Sequence, residues 1–98
     1  MKIISTDAGC KINGEVDVAT SGAFRSALED EISQGKTTIV LDMSEMEYID
    51  STGIGVLMDL KKNCMAPEQN FLLFHPKRSI VKLMQLTGVD NIFEIQTV

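Results

Sequence analysis

The sequence predicts an α/β fold with the element order β-β-α-β-α-β-α-β. Short apolar and β-branched runs alternate with segments whose apolar residues recur at helical spacing. Glycines lie at several of the boundaries between these segments. Strands that alternate with helices pair in parallel through right-handed crossovers, so helices should lie against the sheet. A chain of 98 residues has room for one core, and we expect a single domain over 1–98.

The first elements are a pair of strands and a helix. Strands are predicted over 2–6 and 10–13, with Gly9 supplying the tight reversal between them. A helix is predicted over 20–34, with Thr20 or Ser21 as its N-cap, and Gly35 suits the left-handed position after its end. Its apolar stripe consists of Phe24, Ala27, Leu28 and Ile32.

The remaining elements follow a strand over 37–43, which is β-branched and continuously apolar at its centre. That composition predicts a strand covered on both faces. A connection over 43–50 then leads to a second helix over 52–63. The last elements are a strand over 71–74, a helix that starts between Pro76 and Ser79 and ends at Gly88, and a short edge strand over 92–95.

The charge of the chain restricts its partners. Fourteen acidic and nine basic residues give a net charge of −5, which argues against nucleic acid and anionic lipid. There is no apolar run of about 18 residues and no signal-peptide core, so we expect a cytoplasmic protein without membrane insertion. Cys10 and Cys64 are far apart and accompany a single histidine, so we expect reduced thiols and no metal site.

Three motifs resemble catalytic or nucleotide-binding sites, but their contexts do not fit. The run Gly35-Lys36-Thr37 follows a helix rather than a strand, unlike a phosphate-binding loop. The pair Gly53 and Gly55 lacks the third glycine of a dinucleotide fingerprint, since Met58 stands there. His75 has no nucleophile arranged with it in sequence. We expect no catalytic residue and no cofactor; saturable nucleotide binding would favour the alternative of a small enzyme.

The run Asp50-Ser51-Thr52-Gly53 opens the second helix and has two interpretations. Its side-chain oxygens are those preferred for capping the free N–H groups of a first turn. A serine at a helix start beside glycines is also accessible to another protein's active site. A phosphate there would add about −1.5 to −2 charges, which the helix start could tolerate while a partner could not. Asp17, if nearby, would add like-charge repulsion.

Three blocks of the sequence resemble one family in order and with fitting gaps. The central block comprises Leu41-Asp42-Met43-Ser44, Tyr48-Ile49-Asp50 and Ser51-Thr52-Gly53-Ile54-Gly55. The flanking blocks are Ile12-Asn13-Gly14-Glu15-Val16-Asp17 upstream and Leu83-Met84-Gln85-Leu86-Thr87-Gly88-Val89 with Ile92-Phe93 downstream. Over its whole length the chain resembles the anti-sigma factor antagonist branch of the STAS family. The resemblance implies one STAS-like domain with a mostly parallel or mixed central sheet and helices packed mainly on one face.

The resemblance also implies a partner-switching function without catalysis. The unphosphorylated antagonist would bind an anti-sigma serine kinase of the GHKL type and release the kinase's target. That kinase would phosphorylate Ser51, and a PP2C-type phosphatase would reset the switch. The implied partner-binding residues are Asp17, Asp50, Ser51, Thr52, Gly53, Ile54 and Gly55. The alternative within the family is a regulatory or scaffold subunit with a non-sigma output, in secretion or biofilm control or in a lipid-transport complex.

Overall fold

The computed structural model describes residues 1–97 and confirms the α/β architecture. Three helices and six strands follow one another along the chain. They are β1 Lys2–Ser5, β2 Gly9–Val16, α1 Ser21–Ser33, β3 Thr38–Asp42, β4 Met46–Ile49, α2 Ser51–Asn63, β5 Asn70–Phe74, α3 Arg78–Thr87, a 3-10 turn Val89–Asn91, and β6 Glu94–Gln96. None of the described helices is both long enough and apolar enough to cross a membrane.

The sheet is mixed, with the strand order β1-β2-β3-β5-β6. β1 is antiparallel to β2, and the other pairs are parallel. β4 pairs with the second half of β2, across an irregularity between Gly14 and Glu15. The prediction of a plain connection over 43–50 is therefore wrong. β2 is eight residues long rather than four, and its extra length gives β4 a backbone edge to pair with.

The core lies against one face of the sheet. In β3, Ile39 and Leu41 are fully buried while Val40 between them is only partly buried. β5 repeats this alternation with Phe71 and Leu73 in the core. The prediction that the strand over 37–43 is covered on both faces is wrong, because an apolar residue such as Val40 can stay half-exposed in a sheet packed on one side. The expectation of helices mainly on one face is confirmed.

The helices cover that face of the sheet. They end close to the residues that the sequence predicts. α1 contributes Phe24 and Leu28 to the core, and an ion pair of 2.6 Å joins Arg25 to Asp59 of α2. α3 ends at Gly88, whose φ of 79° is the left-handed conformation that glycine adopts at low cost. Of the parallel strands, β2, β4 and β5 are each followed along the chain by a helix, and only β4 reaches its helix through a single residue.

Candidate functional site

The N-terminus of α2 is capped by Asp50, which follows β4 in an extended conformation. Asp50 Oδ1 accepts hydrogen bonds from Thr52 N at 2.9 Å, from Gly53 N at 3.4 Å, and from the Thr52 hydroxyl. These donors, the Thr52 hydroxyl first, lower the pKa of the Asp50 carboxyl below its ordinary value. The capping interpretation of this run is confirmed, and a fixed carboxylate sits at the helix start.

Ser51 is the first residue of α2, and its side chain is exposed. Thr52 beside it is also exposed, but its hydroxyl is bonded to Asp50. Within residues 1–97 the structure records no hydrogen bond from the Ser51 hydroxyl. Of the two adjacent hydroxyls, the one on Ser51 is therefore the one that is exposed and not hydrogen-bonded within residues 1–97.

Three backbone donors in the first turn of α2, those of Thr52, Gly53 and Ile54, are already engaged. Asp50 takes the N–H groups of Thr52 and Gly53 with its side chain, and its carbonyl accepts from Ile54 N at 3.1 Å. Within residues 1–97 no hydrogen bond is recorded from the Ser51 N–H, so one backbone donor remains beside its side chain. The expectation that the helix start tolerates an added phosphate stays a prediction.

The three residues that follow have different environments. Gly53 is buried, and a Cβ there would lie 2.6 Å from Ile49 Cγ1 and 2.8 Å from Val16 Cγ1. Ile54 is 5% exposed and belongs to the core. Gly55 is exposed, and a Cβ added to it would meet nothing within 4 Å. Of these three, only Gly55 presents open surface next to Ser51.

Asp17 lies at the same edge of the sheet, in the loop between β2 and α1. Asp50 N donates to the carbonyl of Val16, the residue before Asp17, at 3.2 Å. The Asp17 carboxylate accepts from Ala19 N at 3.0 Å and from Thr20 N at 3.1 Å, so it organises its own loop. The structure thus brings the loop of Asp17 beside Asp50, while no hydrogen bond in residues 1–97 joins Asp17 to Ser51.

The sequence does not predict the exposure of two apolar side chains near this edge. Val18, directly after Asp17, is 77% exposed, and Tyr48, two residues before Asp50, is 50% exposed. Tyr48 lies in β4, the strand that the sequence did not reveal, so its outward orientation had no signal. For Val18 the usable signal was an apolar residue in a polar loop.

Comparison with known proteins identifies the family. The STAS domain model matches residues 3–98. An anti-sigma-B factor antagonist of Listeria monocytogenes is 35% identical over 89 residues, which cover 89% of this chain and 76% of the relative. A crystal structure of an anti-sigma factor antagonist from Mycobacterium paratuberculosis matches with a TM-score of 0.84 at 21% identity, covering 99% of this chain and 84% of that one.

A second solved structure, the Bacillus cell fate determinant SpoIIAA in its phosphorylated form, shares the fold. It matches with a TM-score of 0.68 at 21% identity, covering 98% of this chain and 90% of that one. The residues matched by the family model run from β1 through β6 and include the edge that carries Asp17, Asp50 and Ser51. The chain therefore belongs to the STAS domain family, and the relatives it resembles are anti-sigma factor antagonists.

Proposed function

We propose that this protein is an anti-sigma factor antagonist whose binding to a GHKL-type anti-sigma kinase is controlled by phosphorylation of Ser51. It is a binding module and a kinase substrate rather than an enzyme. The observation that supports this most is the exposed, unengaged hydroxyl of Ser51 beside an engaged Thr52. The name of the Listeria relative and the phosphorylated form of SpoIIAA agree with it.

The proposed chemistry is a phosphoryl transfer and its hydrolytic reversal. Ser51 Oγ bonds to the γ-phosphorus of ATP held with Mg²⁺ by the kinase, while the bond to the β,γ-bridging oxygen breaks and ADP leaves. The hydroxyl proton passes to a base of the kinase. A PP2C-type phosphatase reverses the state, because a water oxygen bonds to phosphorus and Ser51 leaves as a hydroxyl with release of inorganic phosphate.

The surroundings of Ser51 suit a switch that acts by repulsion. The phosphate adds about −1.5 to −2 charges next to Asp50, and the loop of Asp17 lies at the same edge. Asp50 already engages the N–H groups of Thr52 and Gly53, and the Ser51 side chain is exposed, so the new charge lies on the surface that the kinase must approach. The core is untouched because the Ser51 side chain is exposed.

A pair of variants tests this proposal against the GHKL-type serine kinases encoded in the same genome. Ser51→Ala should bind the kinase but take up no phosphate from radiolabelled ATP. Ser51→Glu should weaken binding roughly 100-fold, because like charges at an interface cost several kcal/mol. Ser79→Glu, which adds the same charge to an exposed position at the start of α3, should bind as the unaltered protein does.

The contradicting results are specific. Equal kinase binding by Ser51→Ala and Ser51→Glu, measured by isothermal titration with ADP and Mg²⁺ present, would exclude the switch. Incorporation of radiolabelled phosphate into Ser51→Ala would show that the kinase phosphorylates a residue other than Ser51. Treatment of the phosphorylated protein with a PP2C-type phosphatase should restore the binding of the unmodified form.

A further inference from the structure

We propose that the kinase-binding surface continues from Ser51 along the exposed stripe of α2, over the bare backbone at Gly55, to an apolar hollow between Met58 and Ile92. The occupant is the same kinase that phosphorylates Ser51, so the inference rests on the proposed function. The resemblance already implies contacts as far as Gly55, and the inference extends them by about one helical turn to Met58 and the hollow beside it.

The first observation is that nothing in residues 1–97 requires a glycine at position 55. A glycine in an exposed helix destabilises it relative to alanine. Gly55 is not among the glycines with positive φ, and a Cβ added to it would meet no atom within 4 Å. Gly53 differs, because its packing against Ile49 and Val16 leaves no room for an added Cβ. A surface that approaches the backbone of α2 would explain a glycine that the fold does not need.

The second observation is the hollow at the far end of the same stripe. Residues three and four apart lie on one helix face, so Ser51, Gly55 and Met58 form a line along α2. A hollow of about 370 Å³ follows, lined by Met58, Asp59, Lys61, Lys62 and Ile92. Ile92, from the segment after α3, is 38% exposed in it. The line therefore runs from a hydroxyl, over bare backbone, into an apolar depression.

These features describe the chemistry of the kinase segment that fits. It carries a cation opposite the Asp50 carboxylate, because that carboxylate is held ionised by its donors. It crosses α2 in close contact where Gly55 leaves the backbone uncovered. It places one apolar side chain in the hollow, where the exposed Lys62 can pair with an acidic neighbour of that side chain.

Two matched glycine variants test the close approach. Gly55→Ala should raise the thermal unfolding midpoint yet weaken kinase binding by about tenfold or more, since a methyl group holds the two backbones apart. Gly22→Ala is the control, because Gly22 is also an exposed helical glycine whose Cβ would meet nothing within 4 Å. It should also stabilise the protein and leave the dissociation constant unchanged.

A second pair of variants tests the hollow. Ile92→Gln should weaken binding about tenfold, whereas Leu86→Gln, at an apolar side chain that is 86% exposed and outside the hollow, should not change it. Unchanged binding by Gly55→Ala or by Ile92→Gln would overturn the inference while leaving the Ser51 switch intact. Failure of every kinase to bind the unaltered protein would overturn the proposed function and this inference together.

Discussion

The first turns of α2 and α3 open at neighbouring positions on the sheet edge but carry opposite chemistry. At α2 the Asp50 carboxylate fills the helix start. At α3 the N-cap is Lys77, whose side chain makes no capping bond, and His75 and Arg78 flank it. Lys77 Nζ lies 2.7 Å from Glu47 Oε1 of β4, so an ion pair joins the start of α3 to the strand that leads into α2. One helix start is anionic and occupied, and the other is cationic.

Because of this difference, a phosphate at Ser51, as proposed, would act on a binding partner rather than on the domain itself. At the start of α3 an added phosphate would meet the basic side chains of Lys77 and Arg78, and ion pairs with them would offset its charge. At the start of α2 it would meet the Asp50 carboxylate, which already accepts from the N–H groups of Thr52 and Gly53. A modification placed there changes the charge that a partner meets and leaves the domain's own hydrogen bonds as they are.

The largest expected effect is on the free energy of unfolding and comes from the packing of the first turn of α2 against the core. In Gly53→Ala the new Cβ would lie 2.6 Å and 2.9 Å from Ile49 Cγ1 and Cδ1, so the core must shift. Overpacking of this kind typically costs about 1–3 kcal/mol of the free energy of unfolding. Ser79→Ala at the exposed start of α3 should change it by less than about 0.5 kcal/mol. Urea unfolding curves measure both, and equal values would show that the two helix starts are held alike.

Much of the fold is predictable from local chemistry. The helical spacing of Phe24 and Leu28 places α1 correctly, and Gly35 and Gly88 take the positive φ values expected after helix ends. β4 is not predictable this way, because its four residues have no alternation and gain their partner only through the extended β2. The half-exposure of Val40 likewise depends on what packs against the sheet, which its residue type does not record.

The site divides in the same manner. An aspartate before a helix predicts its own capping role, and Asp50 fulfils it. Which of Ser51 and Thr52 keeps a free hydroxyl depends on side-chain orientation, so only the structure distinguishes them. The sequence does not distinguish the open space at Gly55 from the tight packing at Gly53, since both residues are glycine and only Ile54 lies between them.

A smaller effect separates the caps of the two helices. Asp50→Ala removes the acceptor of three hydrogen bonds and should lower the thermal unfolding midpoint by several degrees. Lys77→Ala removes no cap and only an exposed ion pair with Glu47, which contributes little. Its midpoint should stay close to that of the unaltered protein. Equal losses in differential scanning calorimetry would contradict the distinction between an occupied and an unoccupied helix start.

The smallest effect is a pH dependence of stability that arises from Asp50 at the start of α2. Because the folded pKa of Asp50 lies below its ordinary value of 3.8, its ionised form contributes stability above that value, and this is lost as the pH falls through the folded pKa. Asp50→Asn keeps a capping side chain without the charge. The difference in urea midpoint between the two proteins should therefore be greatest near neutral pH and shrink in acid.

The Thr52 hydroxyl is the main cause of the lowered pKa of Asp50. A substitution of Thr52 should therefore change the pH dependence of stability. In Thr52→Val the carboxylate loses that donor, so its folded pKa should rise toward the ordinary value and the charge should contribute less stability at neutral pH. Ser79→Ala serves as the control, since it alters the start of α3 without touching a carboxylate. If the midpoint difference between the unaltered protein and Asp50→Asn stayed constant from about pH 7 to about pH 3, the charge on Asp50 would have no part in holding α2.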